Sequence, residues 1–471
     1  MKKYWKDNLN FYSKGLLFII PISLQALVET VLGLMNTFIV GQFGNDDVIA
    51  GVASSVNVYD MIWYVFFAIV ATGNIFLAQY EGANMKTKIK ETTNVKLFYV
   101  LLISVICLIV LEVFAKDISI LILGAHGGEH YDEAIKVATQ YSRLIAWNYP
   151  LLGFAYIMSL TMNVAGNVKT PLIVASISLV LNTVLVCTLS LPYQGSPNLG
   201  IEGLAISLIT SRAVECLIFI GYLIYKKPEY APNWNIFKIS KELHWNYFKA
   251  FIPMFINQLF FGLSLIIQTV IFAYYGSTTV VAATSIVSTT MAIFYSTYRG
   301  YNALVSYYVG QNLGKGKLAL AKENAKKILQ LVFLISVVTA LVILSCAFWV
   351  PRFLFVNLSA EGLSLAIWYL AFSAIGYFFF NMMQPIFSFL YAGGYTLIVS
   401  ITDLCLVWIV DIFVTFALLQ WTQMDIKYVM MISCLTKSID FAVSYVLYRV
   451  VPWNKKIISK SEIKLPKAIL E

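Results

Sequence analysis

Charge is what this sequence has least of. Only 12% of its 471 residues are charged, about half the share of a soluble globular domain. It has three histidines, and no HExxH, Ser/His/Asp or glycine-rich cofactor pattern, so no enzyme and no bound cofactor are expected. No P-loop is present, which excludes an ATP-driven pump within the chain. The six cysteines, Cys107, Cys187, Cys216, Cys346, Cys405 and Cys434, fall inside apolar runs and without metal-ligand spacing. Neither a disulfide framework nor a zinc site is expected from them. The stretch GAHGGEH gathers His126, Glu129 and His130, but its glycines and its place between apolar runs favour a plain loop over a metal site. No signal peptide is expected, because the first apolar stretch is too long and no small-residue cleavage site follows it.

What the chain has in abundance is apolar sequence. Hydrophobic residues make up 59% of it and the mean hydropathy is +0.77. Runs of membrane-spanning length recur from end to end. The expected fold is an all-α polytopic membrane protein of twelve spans. The first covers about 15–42, the third about 97–115, the fourth about 134–162 and the seventh about 250–276. Basic loops with Lys86, Lys88, Lys90 and Lys96, and again over 310–327, separate spans. The expected organisation is an N-terminal lobe (1–225), a polar inter-lobe connection (226–249), a C-terminal lobe (250–452) and a basic tail (453–471). The net charge of +9 is explained by placement and not by a nucleic-acid partner. With the N-terminus cytoplasmic, roughly 25 of the 33 basic residues lie on the inner side. Both termini are therefore expected inside, in a plasma membrane, with membrane lipid as a neighbour and no obligate protein partner.

The two halves are related. PISLQALVETVLGLMNTFIVGQFG (21–44) aligns with PMFINQLFFGLSLIIQTVIFAYYG (253–276) without a gap. Gln79 pairs with Gln311 and Gly82 with Gly314 at the same offset along the chain as Pro21 with Pro253. Six spans per half is an even number, so the repeat is parallel, with a central cavity expected between the lobes. That architecture points to a carrier. A channel or a membrane scaffold accounts less well for the repeat and for isolated acids at depth.

Those acids are the candidate chemistry. A carboxylate in the middle of a spanning helix is costly and is a functional candidate by default. Glu29 sits near the middle of span one, and its repeat partner is Phe261, so symmetry does not require it. It can bind and release a proton or hold a cation; a neutral glutamate hydrogen-bonded between helices is the structural alternative. Asp60 in span two lies at a depth similar to Asn36, and together they can supply oxygen ligands. Asp403 and Asp411 in span eleven are eight residues apart, so on an α-helix they share roughly one face. Arg212 with Glu215, and Lys437 with Asp440, have i,i+3 spacing and read as structural ion pairs. Trp63 with Tyr295 and Phe66 with Tyr298 repeat at the offset that relates the two halves. Facing a cavity, such rings attract an organic cation; ordinary helix packing is the alternative.

NTFIVGQFG (36–44), AQYEGAN (78–84), VGQNLGKGK (309–317), AGNVKTP (165–171) and NLGIEGLAISLITSR (198–212), in this order and spacing, resemble the multidrug and toxic compound extrusion (MATE) family over nearly the whole chain. The resemblance implies two six-helix lobes and export of organic cations or amphipathic drugs by alternating access, coupled to inward Na+ or H+. It also implies a role for the helix-five asparagine, Asn182. Departures are visible. The family's first-helix aspartate is Asn36 here, an aspartate four residues beyond Asn182 is Val186, and a helix-seven glutamate is replaced by Phe261 with polar neighbours Asn257 and Gln258. Glu29 is then the candidate replacement. A lipid-linked oligosaccharide flippase of the same superfamily is the second expectation, although no row of intramembrane arginines supports it.

Overall fold

The computed structural model describes residues 2–123, 131–192, 196–233, 235–276, 278–354 and 359–458. His126, Glu129 and His130 lie outside the described residues. Among the described residues the regular elements are all helical: α1 (Lys2–Phe43), α2 (Asp46–Gly82), α3 (Lys86–Leu123), α4 (Tyr131–Ala146), α5 (Tyr149–Val164), α6 (Lys169–Ser190), α7 (Ile201–Lys226), α8 (Lys241–Tyr275), α9 (Thr278–Tyr295), α10 (Tyr298–Val305), α11 (Gln311–Gly314), α12 (Leu318–Leu354), α13 (Ala360–Ala392), α14 (Thr396–Cys405), α15 (Val414–Trp421) and α16 (Ile426–Val450). π-Helical stretches occupy Ser306–Gly310 and Leu406–Phe413. Helices answer the solvent problem directly, because a chain in hydrocarbon must satisfy its own backbone N–H and C=O groups. Among the described residues, eleven helical runs are long and apolar enough to cross a membrane, and α4 with α5 makes a twelfth.

Several helices outlast the bilayer. α1 has 42 residues and is roughly 60 Å long at 1.5 Å per residue, against about 30 Å of hydrocarbon. The surplus turns carry the lysines. Lys86, Lys88, Lys90 and Lys96, expected in a loop, are all on α3, and α12 is helical from Leu318. Pairs within the helix, Lys88–Glu91 at 3.3 Å and Lys327–Glu323 at 2.7 Å, support these turns where water solvates them. Lys96 is fully buried. Its Nζ donates to Asn74 Oδ1 at 3.1 Å and to Thr161 Oγ1 at 2.5 Å.

The fourth span is not the continuous helix expected over 134–162. α4 and α5 meet at a 52° bend. Pro150, in the first turn of α5, explains it, since a proline ring clashes with the carbonyl four residues back. That carbonyl belongs to Ala146, the last residue of α4.

The chain forms two compact units. One comprises Leu24–Leu77 and Lys86–Tyr247; the other comprises Met1–Ser23, Ala78–Met85 and Phe248–Glu471, so far as they are described. The first unit has a core of Leu32, Ile39, Val52, Tyr141, Val186 and Leu204. Its polar stretch after α7 docks on α3. The buried Asn94 side chain donates to Asn235 O at 3.1 Å and accepts from Asn233 N at 3.0 Å.

In the second unit the repeat returns as a packing device. A Cβ added at Gly82 would collide with the Gln311 carbonyl, and one at Gly314 would collide with the Gln79 carbonyl. The two contacts exchange under the offset that relates the halves. Gln79 secures the junction by donating to Ala392 O at 2.9 Å and accepting from Ile457 N at 2.8 Å. Gly82→Ala or Gly314→Ala is expected to cost at least about 1–3 kcal/mol, because backbone cannot give way as a side chain can. Thermal unfolding in detergent checks this. Gly41→Ala, with nothing within 4 Å of the new methyl, should leave the midpoint unchanged.

Candidate functional site

Among the buried polar groups of the spans, one cluster in each unit joins several ionisable side chains. The first is built around Glu29. Gln25 stands one turn before it on α1, and its Nε2 donates to Glu29 Oε1 at 3.3 Å and to Ser159 Oγ at 2.5 Å. Asn163 Nδ2 donates to Gln25 Oε1 at 3.3 Å. Ser159 and Asn163 are one turn apart on α5, so both face α1. Opposite them on α7, Arg212 donates to Glu215 Oε2 at 2.7 Å, with both side chains almost fully buried.

Glu29, Trp63, Tyr156, Ser159, Arg212 and Glu215 line one cavity of about 10 Å³, barely room for a water. Arg212 lies within electrostatic reach of Glu29 and Tyr59. Two carboxyls and one guanidinium thus share a small enclosed space, walled by Trp63 and Tyr156, whose rings are 5.5 Å apart. An arginine cannot release its proton, so Glu29 and Glu215 are the groups here whose charge can change. Glu215 is held by Arg212. Glu29 accepts a bond from Gln25, among its contacts.

The remaining candidates of this unit do not line that cavity. Asn36 stands two turns along α1 from Glu29, with a buried Oδ1 that has no hydrogen-bond partner among the described residues. Asn182 is fully buried, 3.5 Å from Ser211 Oγ, a residue that precedes Arg212 in sequence. Asp60 is exposed. Phe66 is fully buried. It packs edge-on to Tyr149.

The second cluster is built on α16 and on the π-helical stretch that carries Asp411. Asp411 is buried and accepts from Thr436 Oγ1 at 2.7 Å. Lys437 Nζ bonds Asp411 Oδ2 and, at 3.0 Å, Asp440 Oδ2. The i,i+3 pair expected from the sequence is therefore part of a triad, with one lysine bridging two acids. Asp403 does not join it. Its Oδ2 accepts from Asn257 Nδ2 at 2.9 Å, and Gln258 Nε2 donates to Asn257 Oδ1 at 3.1 Å. The π-helical stretch between them leaves 403 and 411 roughly two turns apart, and Asp403 stays within electrostatic reach of Asp411 and Lys437. One acid meets α8 and the other meets α16. Tyr295 is partly exposed beside Tyr377 and Phe380, and Tyr298 is 6.1 Å from Phe380.

Gln25, Ser159, Asn163 and Thr436 had no place in the sequence expectations. The i,i+4 spacings of Gln25 with Glu29 and of Ser159 with Asn163, inside apolar helices, were the available signal.

The model of the MatE family matches residues 21–188 and 253–417, one copy in each half, starting at the paired prolines Pro21 and Pro253. The chain belongs to the MatE family. It is 24% identical over 447 residues to "Probable multidrug resistance protein YoeA" of Bacillus subtilis, covering 94% of each chain. It is 20% identical over 274 residues, 58% of each chain, to "Multidrug export protein MepA" of Staphylococcus aureus. Among solved structures, a mutant form of the Vibrio cholerae MATE transporter VcmN has a TM-score of 0.81 at 14% identity, covering 95% of this chain and 99% of that one. A MATE protein in the bent conformation scores 0.76 at 16% identity, with 93% and 95% covered. The fold is the twelve-helix, two-lobe MATE fold. The protein is a multi-pass membrane transporter of the MatE family.

Proposed function

We propose that this MatE-family transporter is a secondary antiporter that exports organic cations or amphipathic drugs in exchange for inward Na+ or H+. The observation that carries this reading is the enclosed cavity in which Glu29 faces the Arg212–Glu215 pair. The drug-export names of the relatives support the substrate class. No relative favours the flippase alternative. Loading Glu29 with H+ or Na+ neutralises it beside a fixed guanidinium, and unloading restores an ion pair. A transporter conformation that prefers one of these two electrostatic states is selected by the ion. Alternating access follows if substrate and ion each bias that equilibrium. The lysine bias supports cytoplasmic termini in a plasma membrane.

The test is transport of a fluorescent cation in proteoliposomes with sodium and proton gradients imposed separately. Saturable export driven by one gradient, with counterflow of unlabelled cation, is the expected result. Flux that neither gradient drives and that does not saturate would overturn the antiporter reading.

A further inference from the structure

A cavity of about 310 Å³ is lined by none of the residues of the two carboxylate clusters, and its walls include Phe11, Tyr307, Tyr308, Asn312, Lys315 and Asn324. Its depth follows from the spans that reach it. The α1 span begins at Leu9, the α9–α11 span ends at Gly314 and the α12 span begins at Leu318. Every wall residue thus lies toward the end of its helical run, and the lysines of those end turns put the cavity on the polar side of the hydrocarbon. Tyrosine and lysine are the residues expected at that depth.

The walls are already organised. Phe11 and Tyr308 are 5.0 Å apart edge to face, Tyr307 and Tyr308 are 5.0 Å apart, and Phe18 lies 5.1 Å from Tyr307. Asn312 and Asn324 both give their Nδ2 groups to Tyr308 O, at 2.6 and 3.1 Å, which fixes two amides at the wall. Charge around the cavity has one sign. Residues 315–327 hold five lysines and one acid, Glu323, and Glu323 is paired with Lys327. Lys327 also stands over the Phe11 ring at 5.6 Å. Among the described residues no acidic side chain lines the cavity. An organic cation, which the rings alone would suit, meets repulsion here.

The repeat does not demand this chemistry. In the first half the matching positions are Ile75, Phe76, Tyr80, Ala83 and Thr92. They carry no cation, and α2 runs through 75–80 without the π-helical stretch that precedes Gln311.

We propose that this cavity binds the phosphate headgroup of an anionic phospholipid, with the phosphate on Lys315 and the glycerol portion against Phe11, Tyr307 and Tyr308. Basic pockets between spanning helices at headgroup depth suit such lipids, and the volume lies within the range of small-molecule sites. The site is independent of the export reading, and it fails or stands without it.

The test titrates the full-length protein in detergent with short-chain phosphatidylglycerol and counts retained lipid by native mass spectrometry. Lys315→Gln should weaken apparent affinity roughly tenfold, the loss of one charge-assisted contact. Lys315→Arg should bind as wild type, and so should Lys322→Gln, which removes an exposed lysine outside the cavity. The unliganded Lys315→Gln protein should unfold at the wild-type temperature. Equal losses in Lys315→Gln and Lys322→Gln would reduce the effect to diffuse surface charge and overturn the site. Phosphatidylcholine binding as well as phosphatidylglycerol would overturn the anion chemistry. Displacement by millimolar inorganic phosphate would overturn the lipid assignment in favour of a soluble phosphate.

Discussion

Lys437→Met is expected to destabilise the protein by about 3–5 kcal/mol, the cost of leaving buried charge without its partner. The substitution keeps the length of the side chain and removes the ammonium that bonds Asp411 and Asp440. The side chains of those acids are 9% and 2% exposed, so water cannot replace the lost bonds. Thermal unfolding in detergent should show a fall of about 3–5 °C. Adding Asp411→Asn and Asp440→Asn to Lys437→Met should recover much of the loss, because the neutral triple variant buries no unpaired charge. The double-mutant cycles within this set should show strong coupling. A Lys437→Met protein as stable as wild type would mean that the triad does not hold α16 to the Asp411 stretch.

Glu29→Gln is expected to reduce gradient-driven export at least tenfold while substrate binding stays within a few-fold of wild type. Glutamine is isosteric and retains an acceptor for Gln25, so the packing between α1 and α5 should survive. What it loses is the capacity to alternate between neutral and charged beside Arg212. A ligand can shift a conformational equilibrium only by its differential affinity for the two states. A permanently neutral residue 29 removes that difference. Glu29→Asp, a shorter acid in the same place, should recover part of the export. Gradient-driven transport in proteoliposomes, with dye binding measured alongside, separates this outcome from simple misfolding. An exporting Glu29→Gln protein would make Glu29 a packing residue and pass the role to the Asp411 triad or to Asp403.

The spans, their number and the internal repeat were legible in the sequence because each has a one-dimensional signature. Hydropathy marks a helix that must satisfy its own backbone, and a constant offset between matching positions marks duplication. Glu29 was legible for a related reason, since a lone acid in an apolar run stands out against its partner Phe261. The features that were harder to read depend on register and on distant partners. Lys96 reads as the last lysine of a basic loop, and only the fold shows Asn74 and Thr161 waiting for it. Asp403 and Asp411 read as one face, but which helix each bonds, α8 through Asn257 or α16 through Thr436 and Lys437, is visible only in the fold. Pro150 did carry the bend between α4 and α5, but an apolar run around a proline is equally the mark of a continuous, kinked helix. The cavity beside Lys315 was half visible. Its lysines were plain, whereas Phe11, far earlier in the chain, reaches it only through the fold.

If Glu29 is the carboxyl through which the coupling ion and the substrate compete, then by linkage the ion weakens substrate binding as much as substrate weakens ion binding. The measurement is the equilibrium dissociation constant of a fluorescent cation for the purified protein, taken across a range of Na+ concentration and pH, in wild type and in Glu29→Gln. One of the two ions should weaken binding roughly tenfold in wild type, a coupling of about 1.4 kcal/mol, and Glu29→Gln should show a flat response. The same ion dependence in both proteins would contradict it.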